Sequence, residues 1–132
     1  MRLFVADEAW SELTSGPEPV VRLAADDLQQ ARRARTRLRD DDGEIAVILD
    51  IKVAVAADVR SAYARLDGAD GVRYAGTVNG LAGLIADIES AGVADGVTLV
   101  NATGADAATP QDLAELGRTV LGLLEQRNRA CA

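Results

Sequence analysis

The chain of 132 residues contains no histidine. This absence removes the commonest general base, the commonest zinc ligand and every catalytic triad built on an imidazole. Aromatic residues make up only 3% of the sequence, so side chains on which bases or sugar rings could stack are scarce. Any catalysis would therefore rest on carboxylates, lysine, tyrosine, arginine or a borrowed cofactor.

Cysteine, net positive charge and long apolar runs are also scarce. The single cysteine, Cys131, lies next to the last residue and closes no internal disulfide. The balance of 14 basic against 21 acidic residues gives a formal net charge of -7, which predicts no nucleic acid and no membrane surface as partners. No stretch approaches the ~20 apolar residues that span a bilayer, and residues 1–8 turn acidic before a secretory apolar region forms. We expect a cytoplasmic protein.

The order of apolar runs and helical patterns predicts one parallel α/β domain over residues 1–132, a length that suits one hydrophobic core. Apolar strands are predicted at 3–6, 20–25, 45–56 and 97–100. Helices are predicted at 7–13, where acidic residues favour a first turn, and from Asp26, Asp58, Thr77 and Thr109. Gly92 supplies the left-handed stop of the fourth helix, and a loop through Tyr74 and Gly76 precedes that helix.

The longest apolar run, 45–56, is rich in β-branched residues and is predicted to be the central strand. Its odd positions form a wholly apolar face, whereas its even positions include Asp50 and Lys52. Arg22 of the preceding strand alternates onto the same face. Because buried charges are costly unless paired, these three residues either form buried ion pairs or line a pocket reached by water or ligand.

Two of the predicted helices carry features that bear on function. The helix from Asp26 carries five arginines, which at about 100° per residue spread around most of its circumference and predict a solvated surface. These arginines are Arg32, Arg33, Arg35, Arg37 and Arg39, with Asp40, Asp41 and Asp42 nearby to neutralise them in part. The helix from Asp58 is expected to turn its apolar residues inward, namely Val59, Ala62, Tyr63 and Leu66.

Three segments resemble the C-terminal half of bacterial luciferase-like flavin-dependent monooxygenases. They are residues 24–28 running into the arginine-rich helix, the strand 47–55, and the stretch from Tyr74 through Gly92 to Val97, which is the most specific. The resemblance covers about residues 20–126. It implies four βα units with a parallel sheet that forms half of a (β/α)8 barrel; the alternative is a flattened, flavodoxin-like three-layer sheet.

The resemblance also implies flavin mononucleotide or a deazaflavin at the C-terminal mouth of a complete barrel. Where the family has a Gly/Ser-rich phosphate turn, this chain has residues 5–10, in which Asp7 and Glu8 repel phosphate. The sequence holds no counterpart of the first four strands. We therefore expect a truncated luciferase-like protein without independent flavin catalysis, acting as a binding or subunit-like module. The alternative is a flavin- or deazaflavin-dependent oxidoreductase or monooxygenase whose site is completed across a dimer or heteromer interface.

Candidate cofactor-binding residues lie where barrels often hold phosphate, at a helix N-terminus and in the turn after the last strand. They are Gly76, Thr77, Asn101, Thr103 and Gly104. No metal site is predicted. A half-barrel leaves two open sheet edges and an apolar inner face, which predicts a homodimer or pairing with a complementary half-barrel chain.

Overall fold

The computed structural model describes residues 2–6, 9–41, 43–66, 71–102 and 112–131. The chain is of the α/β class, as predicted, with a β-hairpin in front of four strand-helix units. The elements are β1 (Arg2–Ala6), β2 (Trp10–Glu12), β3 (Val20–Leu23), α1 (Leu28–Asp41), β4 (Ala46–Val55), α2 (Val59–Arg65), β5 (Arg73–Gly76), α3 (Val78–Ser90), β6 (Gly96–Asn101) and α4 (Leu113–Cys131).

The sheet is curled like half of a barrel, but it is mixed and not purely parallel as predicted, because β2 runs antiparallel to β1. Its strand order is β2-β1-β6-β4-β3, with β5 also paired to β4. β2 is antiparallel to β1, and all other pairs are parallel. The long strand β4 is central, as predicted: β6 lies along one side, while β3 and β5 share the other, β3 beside residues 46–49 and β5 beside residues 52–55.

Two predictions of secondary structure are wrong. Residues 10–12, predicted as part of a helix, form β2, because the ring of Trp10 stacks on Phe4 and gains cross-strand contact that a helix would not give it. Residues 74–76, predicted as a loop, belong to β5, because the length of β4 leaves backbone groups free beyond the end of β3. The four strand-helix units are therefore β3-α1, β4-α2, β5-α3 and β6-α4, and the first strand begins a hairpin instead.

The main core lies on the face of the sheet that carries the odd-numbered residues of β1, β4 and β6. Helices α1, α3 and α4 pack there. Gly117 lets α4 approach the sheet closely, since a Cβ at this position would collide with Leu13. The largest fully buried side chains of this core are Leu3, Leu49, Ile51, Val53, Leu81, Ile85, Ile88, Val97, Leu99 and Val120.

Helix α2 departs from the predicted burial. Ala62 is fully buried, but Val59 is 53% exposed and Tyr63 is 63% exposed. The inward orientation predicted for these two residues is wrong. The helix is only seven residues long and buries only Ala62, so Val59 and Tyr63 remain in contact with solvent.

The predicted helix ends agree with the structure at three places and shift at one. Asp58 and Thr77 cap α2 and α3, and Gly92 follows α3 with a φ of +68°, in the left-handed region that favours glycine. Helix α1 is capped by Asp27 rather than Asp26: its Oδ1 accepts a hydrogen bond from the Gln30 amide at 2.7 Å.

Candidate functional site

The even-numbered face of the sheet, called here the inner face, carries the charged residues singled out in the sequence. Its apolar part is a second, smaller core of Phe4, Ala46 and Ile48, against which Trp10 and Val20 pack. Phe4 is only 4% exposed and Ile48 is fully buried. This part of the inner face is therefore covered by the chain itself.

Trp10 covers the inner face. Its ring stacks on Phe4, with centroids 4.5 Å apart, and its Nε1 donates a hydrogen bond of 2.9 Å to Oγ1 of the fully buried Thr98. The guanidinium carbon of Arg22 lies 5.7 Å from the Trp10 ring centroid. β2 and β3 stand at opposite ends of the strand order and would be about 19 Å apart in a flat sheet. The contact thus requires the curl of the sheet.

Arg22 and Asp50 form an ion pair on this face. Nε of Arg22 donates to the two carboxylate oxygens of Asp50 at 2.8 and 3.1 Å. The side chain of Arg22 is 38% exposed and that of Asp50 is 20% exposed. Solvent therefore screens the pair, and its contribution to stability is nearer to that of a surface ion pair than to that of a buried one.

Lys52 lies on the same face, two residues beyond Asp50, and is half-buried. In register it stands between Val100 of β6 and Arg73 of β5. Within the part of the chain that the structure describes, the Lys52 ammonium makes no ion pair or side-chain hydrogen bond. The structure thus joins two of the three residues of the predicted charged group and leaves Lys52 outside the ion pair.

The candidate cofactor residues lie on both sides of β4. Gly76 is in register with Val55, whereas Asn101 is in register with Val53 from the opposite side, so two strand spacings, about 10 Å, separate their strands. Thr103 and Gly104 lie outside the described residues. The described candidates do not form one cluster.

The N-terminus of α3 is engaged by the chain's own groups. Oγ1 of Thr77 accepts a hydrogen bond from the Gly80 amide at 3.3 Å, and the Tyr74 hydroxyl donates to the Thr77 carbonyl at 2.7 Å. A Cβ on Gly76 or Gly80 would collide with the Tyr74 hydroxyl, so the phenol lies against both glycines. Burial raises the pKa of Tyr74. The phenol therefore stays protonated at neutral pH and holds its hydrogen bond.

At the opposite end of the strands, Arg2 and Glu12 form a two-pronged ion pair. Nε and one terminal nitrogen of Arg2 each donate to a Glu12 oxygen at 2.7 Å. The hydrogen bond from Arg2 lowers the pKa of Glu12, and the bond to Glu12 raises the pKa of Arg2. Both side chains are less than 20% exposed. This ion pair connects β1 to β2.

Asp95, just before β6, connects α1 to the sheet. Its Oδ1 accepts hydrogen bonds from Arg35 and Arg39, and its Oδ2 accepts one from the Val47 amide at 2.9 Å. Burial acts to raise the pKa of Asp95, but the hydrogen bonds from Arg35 and Val47 and the two positive charges outweigh it and hold the pKa below its ordinary value. The prediction that all five arginines of α1 form a solvated surface is wrong for Arg35, which is 24% exposed, whereas Arg39 pairs with Asp95 and remains 37% exposed.

A cavity of about 620 Å³ opens beside these two ion-pair groups, at the amino ends of the strands. Its charged walls include Arg2, Arg39 and Asp95, which pair as described, and Glu18, which lies 3.7 Å from Arg2. These charges neutralise one another. Each of these four residues has an ion-pair partner, and we assign this end of the sheet to stability.

Sequence reasoning missed three of these residues. Thr98 is a polar residue in an apolar strand, and only its pairing with Trp10 explains its burial. Asp95 looks like an ordinary turn residue after Gly92. The position of Trp10 over the inner face depends on the hairpin, which the sequence pattern does not predict. The hydroxyl of Thr98, in the otherwise apolar strand 97–100, is the feature of the sequence that indicates a buried hydrogen-bond partner.

Comparison of the chain with protein-family models gives no match, and comparison with curated proteins gives none either. The described residues contain no group of three or more histidine, cysteine, aspartate or glutamate residues that could hold a metal ion. Among the described helices, none combines the length and the apolar character needed to cross a bilayer.

Proposed function

We propose that the chain is a binding or subunit-like module and not an independent flavin enzyme. The observation that supports this most directly is the filling of the inner face by the chain's own groups. Trp10 lies over Phe4 and Thr98, and Arg22 lies over Trp10, where a barrel enzyme would keep space for a ring system. In this proposal the chain is a truncated member of the luciferase-like group that keeps half of the barrel and receives a ligand or partner on the rest of the inner face.

The described residues do not fit the phosphate of flavin mononucleotide. A phosphate at a helix N-terminus needs free amides and room for the anion. At α3 the Gly80 amide is already bound by Thr77, and the Tyr74 phenol occupies the space above Gly76 and Gly80.

The second candidate function is a flavin or deazaflavin oxidoreductase completed across an interface. The observation that favours it is Lys52, a half-buried cation toward the carboxyl ends of the strands, where barrels bind their ligands. A partner chain would then have to supply the missing phosphate contacts.

A flavin titration distinguishes the two functions. Purified protein is mixed with excess flavin mononucleotide, passed through a desalting column, and its visible absorbance is recorded; the same is done with a deazaflavin. We expect no flavin to elute with the protein. Flavin retained in a one-to-one ratio would overturn the first proposal in favour of the second.

We also propose that assembly covers the ends of the sheet. Along the described strands, β2 and β3 are paired on one side only, and such edges favour pairing with another chain. A homodimer or a complementary half-barrel chain would cover them. Light scattering at micromolar concentration should then give twice the mass of the chain. A monomeric mass would contradict the homodimer, and copurification from the native host would then test the complementary chain.

A further inference from the structure

One side of α1 carries arginines that the fold itself does not use. Arg35 and Arg39 bind Asp95, whereas Arg33 and Arg37 are exposed. Carboxylates are plentiful in a chain with 21 acidic and 14 basic residues. Among the described residues, however, none forms an ion pair or a side-chain hydrogen bond with Arg33 or Arg37. The N–H donors of these two guanidinium groups are therefore available to a ligand.

The spacing of the two free arginines concentrates positive charge on this side of the helix. Arg33 and Arg37 are four residues apart, so their side chains are neighbours on the helix surface. Like charges at this spacing repel each other, and an anion bound between them removes the repulsion. Asp40, three residues beyond Arg37, is exposed and pairs with neither arginine. The helix as a whole carries five arginines against two aspartates.

A cavity of about 550 Å³ opens beside the two free arginines and is lined by both of them. The other described residues of its lining are Gln30 and Thr36. Oε1 of Gln30 accepts a hydrogen bond from the Asp26 amide at 2.6 Å, which leaves the side-chain amide nitrogen of Gln30 as a donor. The Thr36 hydroxyl donates to the Arg32 carbonyl within the helix. The described lining thus offers two guanidinium groups and one amide N–H, and it contains no carboxylate.

We propose that this cavity binds a small organic phosphate monoester through its phosphate group. A guanidinium presents a planar fork of N–H donors that matches phosphate oxygens, and two such forks one helical turn apart bind a single dianion together. Donors without a nearby carboxylate suit a group that has only acceptor oxygens at neutral pH. The cavity has the volume of a small-molecule site and is much larger than a bare phosphate requires, so its remainder takes the organic part of the ligand.

The net charge of -7 does not prevent this binding. At physiological ionic strength charges are screened over about 8 Å, so the two adjacent guanidinium groups outweigh carboxylates elsewhere on the chain. A long polyanion such as nucleic acid would extend past the arginines over acidic surface, and it is disfavoured for that reason. The positive charge of the site is local and suits a small ligand.

Nuclear magnetic resonance observes the two arginines directly. Glucose 6-phosphate is added to ¹⁵N-labelled protein at neutral pH and constant ionic strength, and the Nε–H signals of Arg33 and Arg37 are followed. Inorganic phosphate is the bare anion, glucose the neutral control, and an aspartate-rich peptide the acidic alternative. We expect glucose 6-phosphate to shift both signals along one saturating curve. Inorganic phosphate should bind more weakly, and glucose and the peptide should leave both signals unchanged.

The helix offers a matched set of variants. Arg33→Gln and Arg37→Gln should each weaken binding of glucose 6-phosphate by about tenfold or more, because each removes a charge-assisted pair of hydrogen bonds. Arg32→Gln makes the same change of charge at an exposed position of the same helix, outside the described lining of the cavity, and should bind like the wild type. Circular dichroism establishes that the variants are folded; if one is not, the wild-type titration decides.

Three results would overturn the phosphate site. The first is the absence of saturable shifts of the Arg33 and Arg37 signals with glucose 6-phosphate. The second is an equal loss of binding in Arg32→Gln and Arg33→Gln, which would reduce the effect to a general attraction of anions to α1. The third is saturable binding of the aspartate-rich peptide without binding of glucose 6-phosphate, which would assign this surface to an acidic protein.

This inference goes beyond the proposed function and does not rest on it, because α1 packs on the face of the sheet opposite to the inner face. The double variant Arg33→Gln/Arg37→Gln separates the two proposals. Flavin retained on the desalting column by this variant would contradict the non-catalytic module alone. Loss of glucose 6-phosphate binding in the same variant supports the phosphate site.

Discussion

The guanidinium carbon of Arg22 lies 5.7 Å from the centre of the Trp10 ring, although their strands stand at opposite ends of the sheet. This contact closes part of the inner face within one chain. The apolar residues beneath it, Phe4 and Ile48, are buried without a partner molecule. Lys52, which lies on the same face, is only partly buried.

The bond from Trp10 to Thr98 should contribute measurably to stability. Trp10→Phe keeps the stacked ring but removes the Nε1 donor from a fully buried hydroxyl, and we expect a loss of about 1–2 kcal/mol in the free energy of unfolding in urea. Thr98→Val serves as the partner variant. The double variant should lose less than the sum of the two singles, because the two residues share one interaction. Additive losses would contradict this account of the bond.

Asp50→Ala should destabilise only modestly. The carboxylate is 20% exposed and its partner Arg22 is 38% exposed, so solvent screens the pair and the expected loss is about 1 kcal/mol. Denaturant unfolding of Asp50→Ala, Arg22→Met and the double variant measures it. A loss of about 3 kcal/mol or more would mean that the pair is desolvated like a buried one.

Asp95 should make stability depend on acid. Its pKa is lower in the folded chain than the unfolded value of about 3.9, so its contribution is complete above that value and is lost as the pH falls through the folded pKa. We expect Asp95→Ala to cost about 2 kcal/mol at neutral pH, with the difference from wild type shrinking below about pH 4. Asp87→Ala, at an exposed carboxylate on α3, is the control. If the difference in the free energy of unfolding between Asp95→Ala and the wild type stayed constant from neutral pH down to about pH 2, the lowered pKa of Asp95 would be contradicted.

Tyr63 and Ala62 should respond to substitution in opposite ways. Tyr63 is 63% exposed, and Tyr63→Ser should change the free energy of unfolding by less than about 0.5 kcal/mol. Ala62 is fully buried, and Ala62→Leu should cost about 1–3 kcal/mol through overpacking. Thermal unfolding of the two variants side by side checks this. A large loss for Tyr63→Ser would show that the ring is buried in solution by some further contact.

The central strand and the helix caps could be predicted from the sequence because their signals are local. The β-branched run 45–56 identifies β4, and Asp58, Thr77 and Gly92 mark helix ends through bonds to residues three or four positions away. Alternation along β3 and β4 also places Arg22 and Asp50 on one face, and the structure joins them. In each of these cases a short-range pattern in the sequence is enough to place the residue.

The hairpin, the strand β5 and the position of Asp95 could not be predicted because they depend on distant residues. Trp10 becomes part of a strand through Phe4 and Thr98, and the latter is 88 positions away. β5 exists because β4 extends beyond β3. Asp95 binds two arginines of α1 more than fifty residues earlier, which no helical periodicity reveals.

The packing of Trp10 over the curled inner face is the observation that most directly supports the proposed function, and nuclear magnetic resonance tests it. Trp10 is the single tryptophan, so its indole Nε1–H gives one assignable signal. We predict an Overhauser contact between this proton and the methyl group of Thr98, a second contact between the indole ring and the Arg22 side chain, and slow exchange of the indole proton with solvent. A rapidly exchanging indole proton with neither contact would contradict the account.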